Sequence, residues 1–480
     1  MIDLSLFAGK PVAVMGLARS GLAAARALAA GGAEVRAWDD GEPGRAAAAE
    51  AGIPLADLAQ PESWTGVETL VLSPGIPHTH PAPHISATRA RNVGAEIIGD
   101  IELLVRSNSA ATFVGITGTN GKSTTTALIG HILKQAGERV EIGGNIGRPV
   151  CDFEMLETDG FYVLEMSSYQ IELTPSRAFN VAVLVNISPD HLDRHGGMQG
   201  YVAAKREIMT GSPRGATIVV GVDDTESRRI YEELQSMEAA RAGDIEVCGI
   251  SSRRHVPGGV YVLDGVLHDD RTGENTEIAS LTGVETLPGI HNHQNVAAAY
   301  AAVSAPHGRI NLKSDTIISG IRSFPGLPHR QQRIDKIDGI SYINDSKATN
   351  AEAAARALAC YEDIYWIAGG RAKESDLSAL DPYLSRVRHA FLIGEAAGRI
   401  AGELRGRVET TTSGDLGTAL RNARDAALRE GIAGAVVLLS PACASFDQFK
   451  DFEQRGIEFQ RLVAELPGGS LRVTKRGETA

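Results

Sequence analysis

Lys122 and Ser123 end a glycine-rich turn in the run ATFVGITGTNGKSTTT, residues 111–126, where an apolar stretch passes through the turn into a helix-forming segment. Residues of these types at this spacing suit the binding of a nucleoside triphosphate. Gly115, Gly118 and Gly121 can take positive φ and approach an anion closely, so that successive N–H groups point at phosphate oxygens. Lys122 adds a mobile positive charge, Ser123 a hydroxyl for Mg²⁺, and the helix its positive N-terminal end. The common phosphate-loop spacing puts glycine five residues before Gly121, where this chain has Ile116, so the turn is a variant of that loop. A plain strand-turn-helix junction is the bland alternative, and Gly-Lys-Ser after an apolar strand argues against it.

Other candidate groups sit where apolar strands end. Phe161-Tyr-Val-Leu-Glu165 finishes in a carboxylate that can face the phosphate loop and hold Mg²⁺, although a lone acidic strand end is usually a solvated rim. Val181 to Asn186 leads to the polar loop Asp190-His191-Leu-Asp193-Arg194-His195, whose ordinary reading is a cap with surface histidines. Tyr201-Val-Ala-Ala-Lys205 reads as helix, where a lysine is exposed by default. Three later strands end in Asn344-Asp345-Ser346-Lys347-Ala348-Thr349-Asn350, in Ala-Gly-Gly-Arg-Ala-Lys373 and in Pro-Ala-Cys-Ala-Ser445-Phe446-Asp447. In open α/β sheets that edge collects binding residues, so three such clusters predict one crevice. Taken singly, Asp345 or Asn350 reads as a helix N-cap.

The elements that must position these groups repeat one pattern, short β-branched runs alternating with alanine-rich helical stretches, which predicts parallel sheets covered by helices. At 480 residues, and at roughly 150 per domain, the chain divides into about three α/β domains. Near the start, strand 11–15 runs into Gly16-Leu-Ala-Arg-Ser-Gly21, an alanine-rich helix, and a second strand ending in Asp39-Asp40. This is a dinucleotide fingerprint whose middle glycine is replaced by Ala18, and a methyl group there disfavours NAD. The net charge of −12 and the lack of a long basic run argue against a nucleic-acid partner. Four cysteines without a CxxC pair suit a reducing compartment. Neither a leader-like opening nor an 18-residue apolar run is seen, so a cytoplasmic protein without membrane insertion is expected.

Assembled, the motifs resemble the Mur ligases, and the resemblance covers essentially the whole chain. Gly118-Thr-Asn-Gly-Lys-Ser123 is common to those ligases and the folylpolyglutamate synthases, while His291-Asn292-His-Gln-Asn295-Val-Ala-Ala matches their HNxxNxxA helix. Leu327-Pro-His329-Arg330, the 344–350 motif and Ser440-Pro-Ala-Cys-Ala-Ser-Phe-Asp-Gln-Phe449 are more selective and point to the branch that adds D-glutamate.

The resemblance implies a Rossmann-like UDP-substrate domain at 1–101, a central ATPase domain at 102–326 and a Rossmann-like amino-acid domain at 327–480. It implies ATP-dependent ligation of D-glutamate to UDP-N-acetylmuramoyl-L-alanine through an acyl phosphate. Another Mur-type ligase or a folylpolyglutamate synthase is the alternative. By resemblance, Gly118, Thr119, Asn120, Gly121, Lys122, Ser123 and Thr124 cradle ATP, and Asn292, Asn295, Arg330 and Asp345 bind its nucleotide. Ser123 and Glu165 hold one Mg²⁺, and His191 with Lys205 serves a second. Lys205 is marked as the site of a carbamate derived from CO₂. Arg19, Ser20, Asp39, Asp40, Gly75 and Asn145 meet the UDP end. D-Glutamate falls to Lys347, Thr349, Ser445, Phe446 and Phe452. Lys122, Glu165, His191, Lys205 and Lys347 form the catalytic set, and a monomer acting on small molecules is expected.

Overall fold

In the computed structural model the described residues are all except 109, 177–178, 238–239, 241, 306–308, 373–376 and 470–480. Lys373 therefore lies outside the described residues. Contacts divide the chain into two compact units, one of Met1–Val284 with Ile290–Phe324, the other of Glu285–Gly289 with Pro325–Ala480. Among the described residues no helix is long and apolar enough to cross a membrane.

The first unit holds two sheets. Strands β1 (Pro11–Met15), β2 (Glu34–Trp38), β3 (Thr69–Leu72) and β4 (Glu96–Ile98) form a parallel sheet in the order β2-β1-β3-β4. The order reverses around β1, so the crevice beyond the carboxyl ends of β1 and β3 is a natural ligand position. Gly16 there has φ +90°, and Ala18 takes an extended conformation as N-cap of the helix Arg19–Ala30.

The second sheet has nine strands: β5 (Thr112–Thr117), β6 (Arg139–Gly144), β7 (Gly160–Glu165), β8 (Val181–Leu184), β9 (Ala216–Gly221), β10 (Ile245–Ser251), β11 (Val260–Leu263), β12 (Val266–Asp269) and β13 (Thr276–Ser280). Their order is β13-β12-β11-β10-β9-β8-β5-β7-β6. β5, β7 and β8 are buried along their whole length, as expected of parallel strands covered on both faces. The strands β10 to β13 occupy the stretch 214–285 that carries no legible chemistry in sequence. There β11, β12 and β13 run antiparallel, so neither a βαβ period nor a motif marks them. Gly115 lies inside β5, away from any positive φ, and it is small because the Phe179 ring stands where a side chain would go.

The second unit is a six-stranded sheet of β14 (Gln332–Ile337), β15 (Ile340–Asn344), β16 (Ile364–Gly369), β17 (Val387–Ile393), β18 (Glu409–Gly414) and β19 (Val436–Leu439), in the order β14-β15-β19-β16-β17-β18. β14 and β15 pair antiparallel through Asp338-Gly339, both at positive φ, as a two-residue hairpin turn requires. The three strands that end in the candidate clusters, β15, β19 and β16, are adjacent in the sheet. Trp366 and Tyr342 are fully buried beside helices that supply mostly alanine and leucine.

Candidate active site

The phosphate loop follows β5, which lies between β8 and β7 in its sheet. Gly118 has φ +153° and Gly121, the N-cap of the helix Lys122–Gln135, has φ +82°. The loop is fixed by its neighbours, since the Thr119 N–H donates to the Asn186 carbonyl (2.8 Å) and the Asn120 N–H to the Asn186 Oδ1 (2.9 Å). The Thr119 hydroxyl donates to the Ser188 carbonyl (3.0 Å) and lies 3.1 Å from the Tyr201 hydroxyl. Lys122 Nζ donates to the carbonyls of Gly118 (2.9 Å) and Thr119 (3.0 Å), folding back over its own loop. Ser123 and Thr124 are buried at the first turn of the helix.

Asn295 reaches this loop from the helix Ile290–Val303, and Asn292 stands one turn before it on the same helix. The Asn295 amide donates to Asn292 Oδ1 (2.9 Å), its own Oδ1 accepts from the Thr125 hydroxyl (3.2 Å), and it fills the space beside Gly121. The second asparagine of the HNxxNxxA motif thus braces the glycine turn. A methyl group on Gly121 would strike Asn295 and would also sit at a φ that L-residues avoid.

Glu165, at the end of β7, is 2% exposed. Its Oε1 accepts from the Asn145 amide (2.8 Å), and its Oε2 is buried with no hydrogen-bond partner. Asn145, assigned by resemblance to the UDP end, thus sits directly on the acidic strand end. A buried carboxylate oxygen without a donor is costly unless something positive meets it. No cluster of three or more His, Cys, Asp or Glu that could cage a metal occurs among the described residues. This donor set fits Mg²⁺, which usually takes one or two carboxylates and completes its shell with water and phosphate.

Lys205 departs from the default for a helix lysine. It is 1% exposed, and Nζ donates to the Gly118 carbonyl (2.9 Å) and lies 4.7 Å from the centre of the Tyr201 ring. Burial, assisted by the Lys122 charge, holds its amine well below the usual lysine range. His191 lies on an exposed loop at φ 51°, with Asp190 at 3.6 Å and the Tyr169 ring at 5.4 Å. The buried histidine of this loop is instead His195, which bonds to Ser168 Oγ (2.9 Å) and stacks on Tyr169 at 5.2 Å. A loop histidine facing solvent and one facing the core look alike in sequence.

Five residues assigned to the UDP end, Arg19, Ser20, Asp39, Asp40 and Gly75, line one cavity of about 550 Å³ beyond β1 and β3. Asp39 Oδ2 accepts from the Leu17 N–H (2.6 Å), which holds the fingerprint turn, and Asp40 meets His84 Nε2 at 3.0 Å. Arg19 donates to the Gly147 carbonyl (2.7 Å), and Arg194 donates to the Gly75 carbonyl (2.8 Å). Sequence reading passed over Asp100, which is buried against Ser20 and pushed up to about 6 by burial. Its place at the start of an amphipathic helix resembles any capping acid.

In the second unit the strand-end clusters interlock. The Ser440 hydroxyl donates to Asp345 Oδ2 (2.8 Å), and the N–H groups of Gln331 (3.1 Å) and Lys347 donate to Asp345 Oδ1 and to the His329 carbonyl (3.0 Å) respectively. Arg371 and Ala444 exchange backbone bonds (2.8 and 2.9 Å). Burial raises Asp345 to about 7, opposed by the Ser440 hydrogen bond and the Arg330 charge. Asn350 is a helix N-cap, accepting from the Ala353 N–H (2.8 Å), whereas Asp345 is not. Lys347 Nζ lies 5.5 Å from the centre of the Phe452 ring, Thr349 follows on the same loop, Ser445 is buried, and Phe446 is 60% exposed.

Comparison with known proteins extends this geometry. Residues 116–303 match the Mur ligase middle domain and residues 329–443 the Mur ligase glutamate ligase domain. The chain belongs to the Mur ligase family. The UDP-N-acetylmuramoylalanine–D-glutamate ligase of Rhodospirillum rubrum is 50% identical over 470 residues, covering 97% of each chain. The ligase of the same name from Phenylobacterium zucineum is 48% identical, covering 98% of this chain and 99% of its own. The crystal structure of a UDP-N-acetylmuramate-alanine ligase from Thermotoga maritima shares the fold, with a TM-score of 0.56 at 17% identity, covering 94% of this chain and 98% of its own.

Proposed function

We propose that this chain ligates D-glutamate to UDP-N-acetylmuramoyl-L-alanine at the expense of ATP, a step of peptidoglycan precursor synthesis. Near-full-length identity to ligases of that name supports the reading, and the observation that carries it is the pairing of a braced phosphate loop with the buried, half-satisfied Glu165. In this reading 1–101 binds the UDP substrate, 102–326 is the ATPase and 327–480 binds the amino acid. The protein works as a monomer in the cytoplasm on small molecules alone.

A carboxylate resists attack by an amine because its charge repels the nucleophile and oxide is a poor leaving group. Transfer of the γ-phosphate of ATP to the L-alanine carboxylate removes both obstacles. The D-glutamate amine then attacks the acyl carbonyl, and the C–O bond to phosphate breaks as the amide forms. The protein's part is positioning and charge neutralisation.

The N–H groups of the 118–124 loop and Lys122 hold the phosphates, with Asn292, Asn295, Arg330 and Asp345 serving the nucleotide. Ser123 and Glu165 would hold one Mg²⁺, and His191 with a carbamylated Lys205 a second; such ions neutralise phosphoryl charge. Arg19, Ser20, Asp39, Asp40, Gly75 and Asn145 take the UDP substrate. Lys347, Thr349, Ser445, Phe446 and Phe452 take D-glutamate, whose two carboxylates need a cation and several donors.

The acyl phosphate has an isotopic signature. With ¹⁸O in the L-alanine carboxylate, one labelled oxygen is expected in each released phosphate by mass spectrometry. Phosphate free of label would contradict this route.

A further inference from the structure

Arg455 lies in the first turns of the helix Phe452–Ala464, is 1% exposed, and gives none of its hydrogen bonds to a carboxylate. Its Nε donates to the Ser346 hydroxyl (3.0 Å), and Nη2 donates to the carbonyls of Ser346 (2.9 Å) and Cys443 (3.1 Å). Nη1 is buried without a partner against Gly370, at φ +131°, where even a Cβ would stand only 3.2 Å from it. The Ser346 hydroxyl passes the bonding on by donating to the Phe452 carbonyl (2.8 Å).

One guanidinium therefore joins three segments of the second unit: the 344–350 motif next to Lys347, the 440–449 motif two residues before Ser445, and the helix start at Phe452. The opposite charge that acts on it, Asp447, does so without a hydrogen bond, and a buried charge so weakly paired costs several kcal/mol, so packing alone would favour an apolar residue here. What arginine offers instead is a planar fork that reaches several acceptors at fixed angles, which a lysine cannot reproduce.

We infer that Arg455 is a positioning residue for the amino-acid subsite, a bolt that holds Lys347, Ser445 and Phe452 in mutual register. The inference rests on the ligase reading and adds to it a residue that touches no reactant. Displacement of binding groups by about 1 Å costs up to ~10²-fold in rate, so loosening the bolt acts on the amino acid far more than on the other substrates.

The test uses the full chain with Arg455→Lys, which keeps the charge and loses the fork, and Ser346→Ala, which keeps Arg455 and removes one arm. Phosphate release is measured while D-glutamate, ATP and UDP-N-acetylmuramoyl-L-alanine are varied in turn, alongside thermal melting. Expected is a rise of ~10-fold or more in KM for D-glutamate in both variants, with the KM values for ATP and the UDP substrate within about twofold of wild type. An unchanged KM for D-glutamate, whether or not the melting temperature falls, overturns the positioning role. If Arg455→Lys does not fold, Ser346→Ala decides alone. Absence of D-glutamate-dependent turnover in the wild type refutes the ligase reading itself, a result distinct from unaltered kinetics in the variants.

Discussion

Lys347→Ala is expected to fold and to bind ATP normally while ligation falls by ~10²–10³-fold, the usual cost of losing one preorganised charge-stabilising donor. The lysine stands at the carboxyl edge of β15, its backbone N–H held by the His329 carbonyl and its ammonium above the Phe452 ring. From there it can neutralise a D-glutamate carboxylate or charge developing on the phosphoryl group. Its removal leaves the buried Asp345–Ser440 contact in place, so the melting temperature should change little. Steady-state phosphate release together with nucleotide titration checks the claim, and turnover near that of the wild type would remove Lys347 from the proposed machinery.

Lys205→Ala is expected to lose activity on a similar scale, for a different reason. A protonated lysine beside Mg²⁺ and a triphosphate would repel the metal, whereas a carbamate would present an anionic oxygen on a long stem. Carbamylation needs the neutral amine, and burial drives Lys205 in that direction. The same shift sets a sign for stability. The unfolded chain keeps a proton that the folded state sheds, so this group opposes folding below the ordinary lysine pKa and its cost shrinks as pH rises toward that value. Short carboxylic acids supply a replacement anion, and acetate or propionate should restore part of the activity of the alanine variant. Full activity without added acid would show that no anion at this position is needed.

Legibility in the sequence followed locality. Gly118-Thr-Asn-Gly-Lys-Ser123 is a contiguous device whose glycines and lysine announce their task, and the strand ends at Glu165, Asp345 and Ser440 stand out because polar clusters interrupt apolar runs. The three clusters lie side by side because β15, β19 and β16 are neighbours in the sheet. What escaped depends on long-range partners. Arg455 lies 109 residues from Ser346, and a lone arginine in Phe-Glu-Gln-Arg-Gly looks like a solvated helix face until the loops above it are placed. Lys205 read as exposed by default because its burial comes from the phosphate loop 87 residues earlier. Gly115 read as part of the cradle because a glycine needed to admit the Phe179 ring cannot be told in sequence from one needed for φ.

On the ligase reading, the selectivity of this chain is for D-glutamate, and no other amino acid, as the amine joined to an activated UDP-linked carboxylate. Its most direct test is phosphate release from ATP by the purified protein with UDP-N-acetylmuramoyl-L-alanine and a panel of amino acids that includes both glutamate enantiomers. Release is expected with D-glutamate that needs all three reactants, and little with L-glutamate, meso-diaminopimelate, L-lysine or L-alanine. Preferred turnover of any amino acid other than D-glutamate, or release unaffected by the amino acid, would contradict it.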